Sequence, residues 1–120
     1  MNYQIRPLNT GMVVSDPKTY YYHHSIHRFY KDKLGDTIQA PCFAFLITGG
    51  DYRILVDTGM SDTERAGKYH HPGSVQAPGE AIYEQLEKVG IGCENITHVI
   101  FTHLHWDHVY YCKRFVNAKF

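Results

Sequence analysis

Three histidines and one aspartate lie within six residues near the end of the chain, and these residue types suit metal chemistry. They are His103, His105, Asp107 and His108. Residues two apart in an extended backbone project to the same side, so His103 and His105 can hold one cation together. Asp107 and His108 follow the next turn and can face a second cation. Imidazole and carboxylate ligands suit zinc, and also manganese, iron or cobalt. A histidine-rich surface loop without a ligand is the alternative.

A short β-branched segment leads into these residues and must position them. The predicted elements are strands over about 3–14, 41–48, 52–57 and 96–101, a helix over about 79–89 and a loop over 102–108 that carries the candidate ligands, called the metal loop below. The segment Gly49-Gly50-Asp51 is typical of a hairpin turn between the second and third strands. Residues 60–78 are polar, with Gly and Pro, and are predicted to form a loop. This order of elements indicates an α/β or α+β fold.

The composition fits one small domain and excludes several classes of protein. The 120 residues include 12 Lys+Arg and 12 Asp+Glu, so the formal net charge is zero. This balance, without a basic block, argues against nucleic-acid binding. The longest apolar runs are too short for a membrane span, and residues 2–8 do not resemble a signal peptide. Three cysteines are an odd number, which favours a reduced, cytoplasmic protein over a disulfide scaffold.

Two sequence motifs resemble those of a known superfamily. Residues 102–108 read Thr-His-Leu-His-Trp-Asp-His and resemble the HxHxDH signature of the metallo-β-lactamase-fold hydrolases. Residues 54–59 read Ile-Leu-Val-Asp-Thr-Gly and resemble the strand-ending Asp-Thr-Gly element of the same superfamily. Within it, the chain is most similar to the N-acyl-homoserine lactonase-like proteins. That similarity is carried by segments 5–8, 56–60, 78–82 and 117–120.

The resemblance implies an αββα sandwich with a binuclear site, in which His103 and His105 hold the first metal and Asp107 and His108 the second. Two zinc ions per complete site are expected, with manganese, iron or cobalt as alternatives. Asp57 would support the metal loop through hydrogen bonds, and a turn-forming Asp before Gly is the other interpretation. A metal-bound hydroxide, with Asp107 as a catalytic residue, would open a small-molecule lactone of the N-acyl-homoserine lactone type, a quorum-quenching reaction. The alternatives are an ester hydrolase, a glyoxalase II-like thioester hydrolase and a non-catalytic metal-binding fragment that needs a partner.

The chain departs from the superfamily pattern in its length. No counterpart exists for the downstream histidines, the bridging carboxylate or the downstream tyrosine that complete such a site. We therefore expect the N-terminal half of the sandwich, completed by a C-terminal half or by a second copy in a homodimer. The 120-residue chain alone is expected to be inactive. Tyr110 and Tyr111 also replace a small, Gly-containing pair beside the metals.

Several aromatic and histidine residues outside the motif are candidates for a substrate pocket. They are Tyr69, His70, Tyr110 and Tyr111. Residues 20–30 are rich in Tyr and His, and they predict an aromatic lid, a dimer contact or a plain surface loop. Trp106 is expected to pack beneath the metal loop, and Cys42 to be a packing residue.

Overall fold

Within residues 2–17 and 37–120, four strands and three short helices lead to the metal-ligand motif and include part of it. The computed structural model describes residues 2–17 and 37–120, so the predicted lid over 20–30 lies outside the described residues. The elements are β1 (Gln4–Ser15), β2 (Ile38–Thr48), β3 (Ile54–Val56), α1 (Thr63–Tyr69), α2 (Ile82–Glu87), β4 (His98–Ile100) and α3 (Trp106–Val109), with 3-10 turns at Cys93–Asn95 and Cys112–Arg114. No helix among the described residues is long and apolar enough to cross a membrane.

The strands form one mixed sheet in the order β1-β2-β3-β4. The first three strands are antiparallel, and β4 lies parallel to β3, with Val56 opposite Ile100. A parallel pair needs a crossover connection, which here contains α1 and α2. As a result the C-terminal ends of β3 and β4 lie side by side at one end of the sheet, and the residues that follow both strands meet there.

One face of the sheet forms the main core. In β2 the side chains alternate, so that Ala44 and Leu46 are buried while Phe43 and Phe45 are each 38% exposed. The buried side packs against α2 and the segments around it. The cluster comprises Leu8, Ala44, Leu46, Leu55, Ile82, Leu86, Ile96, Val99 and Phe115. This packing fixes β3 and β4, the two strands that lead into the candidate site.

The opposite face of the sheet is apolar but open. Besides the two phenylalanines of β2, Ile5 is 67% exposed and Ile100 is 53% exposed. Large exposed apolar areas of this kind are uncommon on isolated domains.

The segment 60–78 contains a helix, so the prediction of a continuous loop there was wrong. Helix α1 begins after Asp62, whose side chain accepts a hydrogen bond from the Arg65 backbone N–H at 2.9 Å. Only Ala66 of this helix is buried, so the amphipathic signal that normally identifies a helix is missing. The Asp-Thr-Glu start was the usable signal, since Asp is a favoured N-cap.

Helix α2 is shorter than the predicted 79–89. Gly79 has a φ of +85°, which is incompatible with a helix, and the Glu84 carboxylate accepts hydrogen bonds from the N–H groups of Gly79 and Ala81. The helix therefore starts at Ile82. Residues 106–109 also form a helical turn, which overlaps the segment 102–108 that was predicted to be a loop.

Candidate metal centre

The three imidazoles of the motif come together where the chain leaves β4. The ring centroids of His103 and His105 are 4.6 Å apart, and those of His103 and His108 are 4.1 Å apart. His105 is the residue that immediately precedes α3, and His108 lies within that helix. The turn into α3 thus returns His108 to the histidines on the extended segment.

Asp107 joins this group beside His108. Its Oδ2 atom lies 3.5 Å from His108 Nε2, and the two side chains are 19% and 21% exposed, respectively. Two ligand atoms that bind one zinc ion tetrahedrally, each at about 2.0–2.2 Å, would lie about 3.4 Å apart. The spacing of this oxygen and nitrogen therefore suits a shared metal ion.

Asp57 holds two of the imidazoles through hydrogen bonds, one directly and one through Thr102. It is 2% exposed and follows β3 directly, with its backbone N–H bonded to the Ile100 carbonyl at 2.8 Å. Its Oδ2 atom lies 2.7 Å from His108 Nδ1. The Thr102 backbone N–H donates to Oδ1 and the Thr102 hydroxyl to Oδ2, both at 2.8 Å. The same hydroxyl oxygen lies 2.9 Å from His103 Nδ1.

These hydrogen bonds decide which imidazole nitrogens can bind a metal. An ionised carboxylate only accepts hydrogen bonds, so His108 must carry its proton on Nδ1 and offer Nε2. The Thr102 hydroxyl gives its proton to Asp57 and can accept one from His103 Nδ1, which leaves His103 Nε2 available. Metal-bound histidines in proteins are commonly held in this way. The donor set therefore fits a zinc-type ion.

The backbone of the motif is tied to the segment after β3. The Thr58 N–H donates to the His108 carbonyl at 2.8 Å, and the Tyr110 N–H donates to the Gly59 carbonyl at 3.2 Å. Gly59 has a φ of +78°, and a Cβ atom there would lie 2.7 Å from the Thr10 side chain. The Asp-Thr-Gly element thus holds the metal loop by both its side chains and its backbone.

Cys42 contributes one more contact to the loop. Its thiol donates to the Asp107 carbonyl at 2.8 Å, and its Sγ and the ligand atoms of Asp107 and His108 all lie within 4.8 Å of one another. Burial, with a smaller contribution from the carboxylates of Asp107 and Asp57, raises the pKa of Cys42 to about 11. The group is a protonated thiol at neutral pH, and it supports the loop as a hydrogen-bond donor in addition to packing.

The four predicted pocket residues separate into two pairs. Tyr110 and Tyr111 line a cavity of about 590 Å³, whereas Tyr69 and His70 do not line it. The His70 ring stacks on Trp106 at a centroid distance of 4.5 Å. Trp106 itself packs against a second buried cluster. That cluster comprises Val13, Cys42, Met60 and Ala66.

Two supporting residues were missed by the sequence analysis. Thr102 connects Asp57 to His103, and its position beside the motif was the signal that could have identified it. Gln76 donates from Nε2 to the carbonyls of Thr10 and Met60, at 2.8 and 2.9 Å, and accepts a 3.2 Å bond from the Tyr111 hydroxyl. No local pattern identifies Gln76, because its three partners are distant in sequence.

Comparison with known proteins gives matches to one group. The family model of the metallo-beta-lactamase superfamily matches residues 37–119. Metallo-beta-lactamase domain-containing protein 1 of Xenopus laevis is 30% identical over 123 residues, which cover 99% of this chain and 43% of that protein. The chain therefore spans less than half the length of this relative.

Solved structures of lactone-hydrolysing proteins share the fold. One is an N-acyl homoserine lactone hydrolase with its product N-hexanoyl-L-homoserine at the catalytic metal centre. It has a TM-score of 0.73 and 21% identity, over 98% of this chain and 48% of that chain. Another is a dizinc quorum-quenching lactonase, with a TM-score of 0.65 and 19% identity, over 98% of this chain and 40% of that chain. At these identities the likeness establishes the fold.

Proposed function

Because the chain belongs to the metallo-beta-lactamase superfamily, we propose that it carries the metal-binding part of a hydrolase that opens N-acyl-homoserine-type lactones. The observation that carries the proposal is the convergence of three imidazoles, two of which are oriented through Asp57. The product-bound lactone hydrolase of the same fold makes this substrate class the first to test.

The proposed site divides the motif between two zinc ions. His103 and His105 would hold one ion, and Asp107 and His108 would hold the other. A bound zinc ion supplies a Lewis acid for the carbonyl oxygen and lowers the pKa of a bound water to about 7. Asp57 keeps the His108 Nδ1 proton in place and, through Thr102, orients His103. Asp107 is the partly exposed carboxylate of the motif; with Oδ2 on the side of the metal, we assign its Oδ1 the role of accepting a proton near the reacting atoms.

This chain alone offers two motif ligands for each ion. Catalytic zinc sites in proteins use about three protein ligands together with water or substrate. We therefore propose that further ligands come from polypeptide beyond these 120 residues or from a second copy of the chain. The open apolar face that includes Ile5, Phe43, Phe45 and Ile100 is the surface against which such a segment would pack. The three free thiols fit a reducing compartment, and we propose a cytoplasmic location.

The test combines metal analysis with hydrolysis of N-hexanoyl-homoserine lactone, using the native gene product, whose intact mass is measured first. We expect close to two zinc ions per complete site. Replacing His105→Ala or Asp107→Ala should lower turnover by about a hundredfold or more while leaving the far-UV circular dichroism unchanged. His98→Ala is the matched control, because His98 contacts Tyr52 and Thr97 rather than the motif.

Three outcomes would count against this function. Full lactone turnover in both motif variants would exclude the proposed ligands. Turnover of a thioester or an aryl ester without lactone turnover would move the substrate to another class. A native product of 13.9 kDa that binds little metal and hydrolyses none of these substrates would identify a non-catalytic chain.

A further inference from the structure

A cavity next to the metal motif combines aromatic walls with positively charged side chains. Its volume of about 590 Å³ lies within the usual range for small-molecule sites, about 300–1,000 Å³. Helix α3 contributes Trp106 and Val109 to the lining, and the turn after it contributes Tyr110 and Tyr111. The metal-motif residues Asp107 and His108 do not line this cavity, so it is separate from the proposed metal ligands.

In the part of the chain that the structure describes, three cations line the same cavity, and they are Arg65, Lys113 and Arg114. The Arg65 guanidinium lies 5.5 Å from the centroid of the Tyr110 ring, and the Arg114 guanidinium lies 3.9 Å from that of Tyr83 and 5.6 Å from that of Tyr111. Contacts of this kind hold a guanidinium against an aromatic surface without neutralising its charge.

No carboxylate of the described residues forms an ion pair with these cations. Within residues 2–17 and 37–120, the ion pairs involve only His108 with Asp57 and with Asp107. Asp62 is the carboxylate whose charge reaches Tyr111, and its Oδ1 atom already accepts the N-cap hydrogen bond from the Arg65 backbone. Among the described residues, no acidic side chain lines the cavity. Its excess positive charge therefore favours an anionic ligand.

We propose that this cavity binds a small amphiphilic organic anion, with the anionic head group at the arginines and the apolar body against Trp106 and Val109. Arginine binds carboxylate and phosphate oxygens with paired, directional hydrogen bonds, and both head groups suit the site. The aromatic and aliphatic lining suits a short acyl or alkyl chain. This binding requires no metal ion and does not depend on the hydrolase activity proposed above.

The experiment uses Trp106, the only tryptophan of the chain, as the reporter. The protein is stripped of metal with a chelator, which is removed by desalting, and is then titrated with hexanoate, hexyl phosphate or the neutral analogue hexanamide. We expect a saturable change in fluorescence with at least one of the two anions and binding of hexanamide that is at least about tenfold weaker. The anion that binds more tightly identifies the head group as carboxylate or phosphate.

Charge-matched variants locate the binding site. Arg114→Gln or Arg65→Gln should weaken binding of the preferred anion by about tenfold, the loss typical of a charge-assisted hydrogen bond. Arg53→Gln removes the same charge from an exposed position outside the cavity and should leave the affinity unchanged. Circular dichroism of each variant checks that the fold is retained.

Several results would overturn the proposal. Equal binding of hexanamide and both anions would make the cavity a simple apolar site. If Arg53→Gln loses as much anion affinity as the two cavity variants, the effect comes from the net charge of the protein and not from the cavity. A fluorescence response that occurs only with metal-loaded protein would place the anion on the metal ions instead of in the cavity. No saturable response to either anion would exclude the site.

Discussion

Asp57 Oδ2 lies 2.7 Å from His108 Nδ1, although the two residues are 51 positions apart in the sequence. Asp57 adopts a φ of +63° at the end of β3, an uncommon conformation that Asp tolerates better than most residues. The same carboxylate accepts both the backbone N–H and the hydroxyl of Thr102. One buried acidic group therefore holds the start of the metal loop and one of its imidazoles, and it reaches a second imidazole through a hydroxyl.

We predict that Asp57→Asn lowers zinc affinity by about 10- to 100-fold, the usual effect of losing a carboxylate that orients a metal-bound histidine. The amide keeps the size of the side chain but provides only one accepting oxygen and no charge. Competition with a chromophoric chelator measures the affinity. Asp51→Asn, in the exposed hairpin turn, is the matched control and should bind zinc as the parent does.

The hydroxyl connection can be tested separately at Thr102. Thr102→Val removes the hydroxyl at nearly constant volume, and Thr102→Ser keeps it. If the hydroxyl orients His103, zinc affinity should fall in the valine variant and be restored in the serine variant. The opposite result is that the valine and serine variants bind zinc equally well and that Asp57→Asn binds zinc as the parent does. Those two results together would show that Asp57 stabilises only the turn after β3.

The sequence indicated candidate metal ligands more readily than the framework around them. His103, His105, Asp107 and His108 are close in sequence, so their spacing alone indicated a metal site. The assignment of Asp57 to the same site came from the resemblance of the Asp-Thr-Gly element, because local spacing says nothing about a contact across 51 positions. The metallo-β-lactamase fold class was also inferred from this resemblance, and the family match and shared fold confirm it.

The remaining features depend on tertiary contacts. Helix α1 was missed because Ala66 is its only buried residue, so it lacks the apolar periodicity of an ordinary surface helix. Gln76 has two carbonyl partners and one hydroxyl partner from three separate segments. The cluster of Arg65 and Arg114 at one cavity arises because α1 and the turn after α3 meet only in the folded chain.

We predict that Gly59→Ala destabilises the protein by about 2–4 kcal/mol, from the strain of a left-handed backbone together with overpacking. Its φ is +78°, and the added Cβ would lie 2.7 Å from the buried Thr10 side chain. The Thr10 hydroxyl donates to the Cys42 carbonyl at 2.9 Å, so it cannot move away freely. Urea unfolding measures the loss.

The control for this substitution is Gly67→Ala within α1. A Cβ at Gly67 meets no atom within 4 Å, and the backbone there is helical. Alanine should stabilise the protein at this position by about 0.5–1 kcal/mol. If the loss of unfolding free energy in Gly59→Ala is no larger in size than the change in Gly67→Ala, the close approach of Gly59 to Thr10 is contradicted.

We predict that the stability difference between the parent and Tyr111→Phe depends on pH above about 10. Burial, with contributions from Tyr83 and Asp62, raises the pKa of Tyr111 from 10 to about 12. The folded protein thus keeps the phenol proton at pH values where the unfolded chain loses it, so the unfolded state binds fewer protons and the free energy of unfolding falls with rising pH. The contribution of the neutral phenol is fully present below pH 10 and is lost as the pH rises toward 12.

Urea unfolding of both proteins at pH 8, 9, 10 and 11 measures this difference. At pH 8 the parent should be more stable by about 0.5–1.5 kcal/mol, because phenylalanine cannot donate the hydrogen bond that Tyr111 makes to Gln76. From pH 10 to 11 that advantage should shrink. Tyr3→Phe, at a 57% exposed position, corrects for the effect of alkali on the rest of the chain. A difference that stays constant from pH 8 to 11 would show that the Tyr111 phenol is not held in its neutral form by the fold.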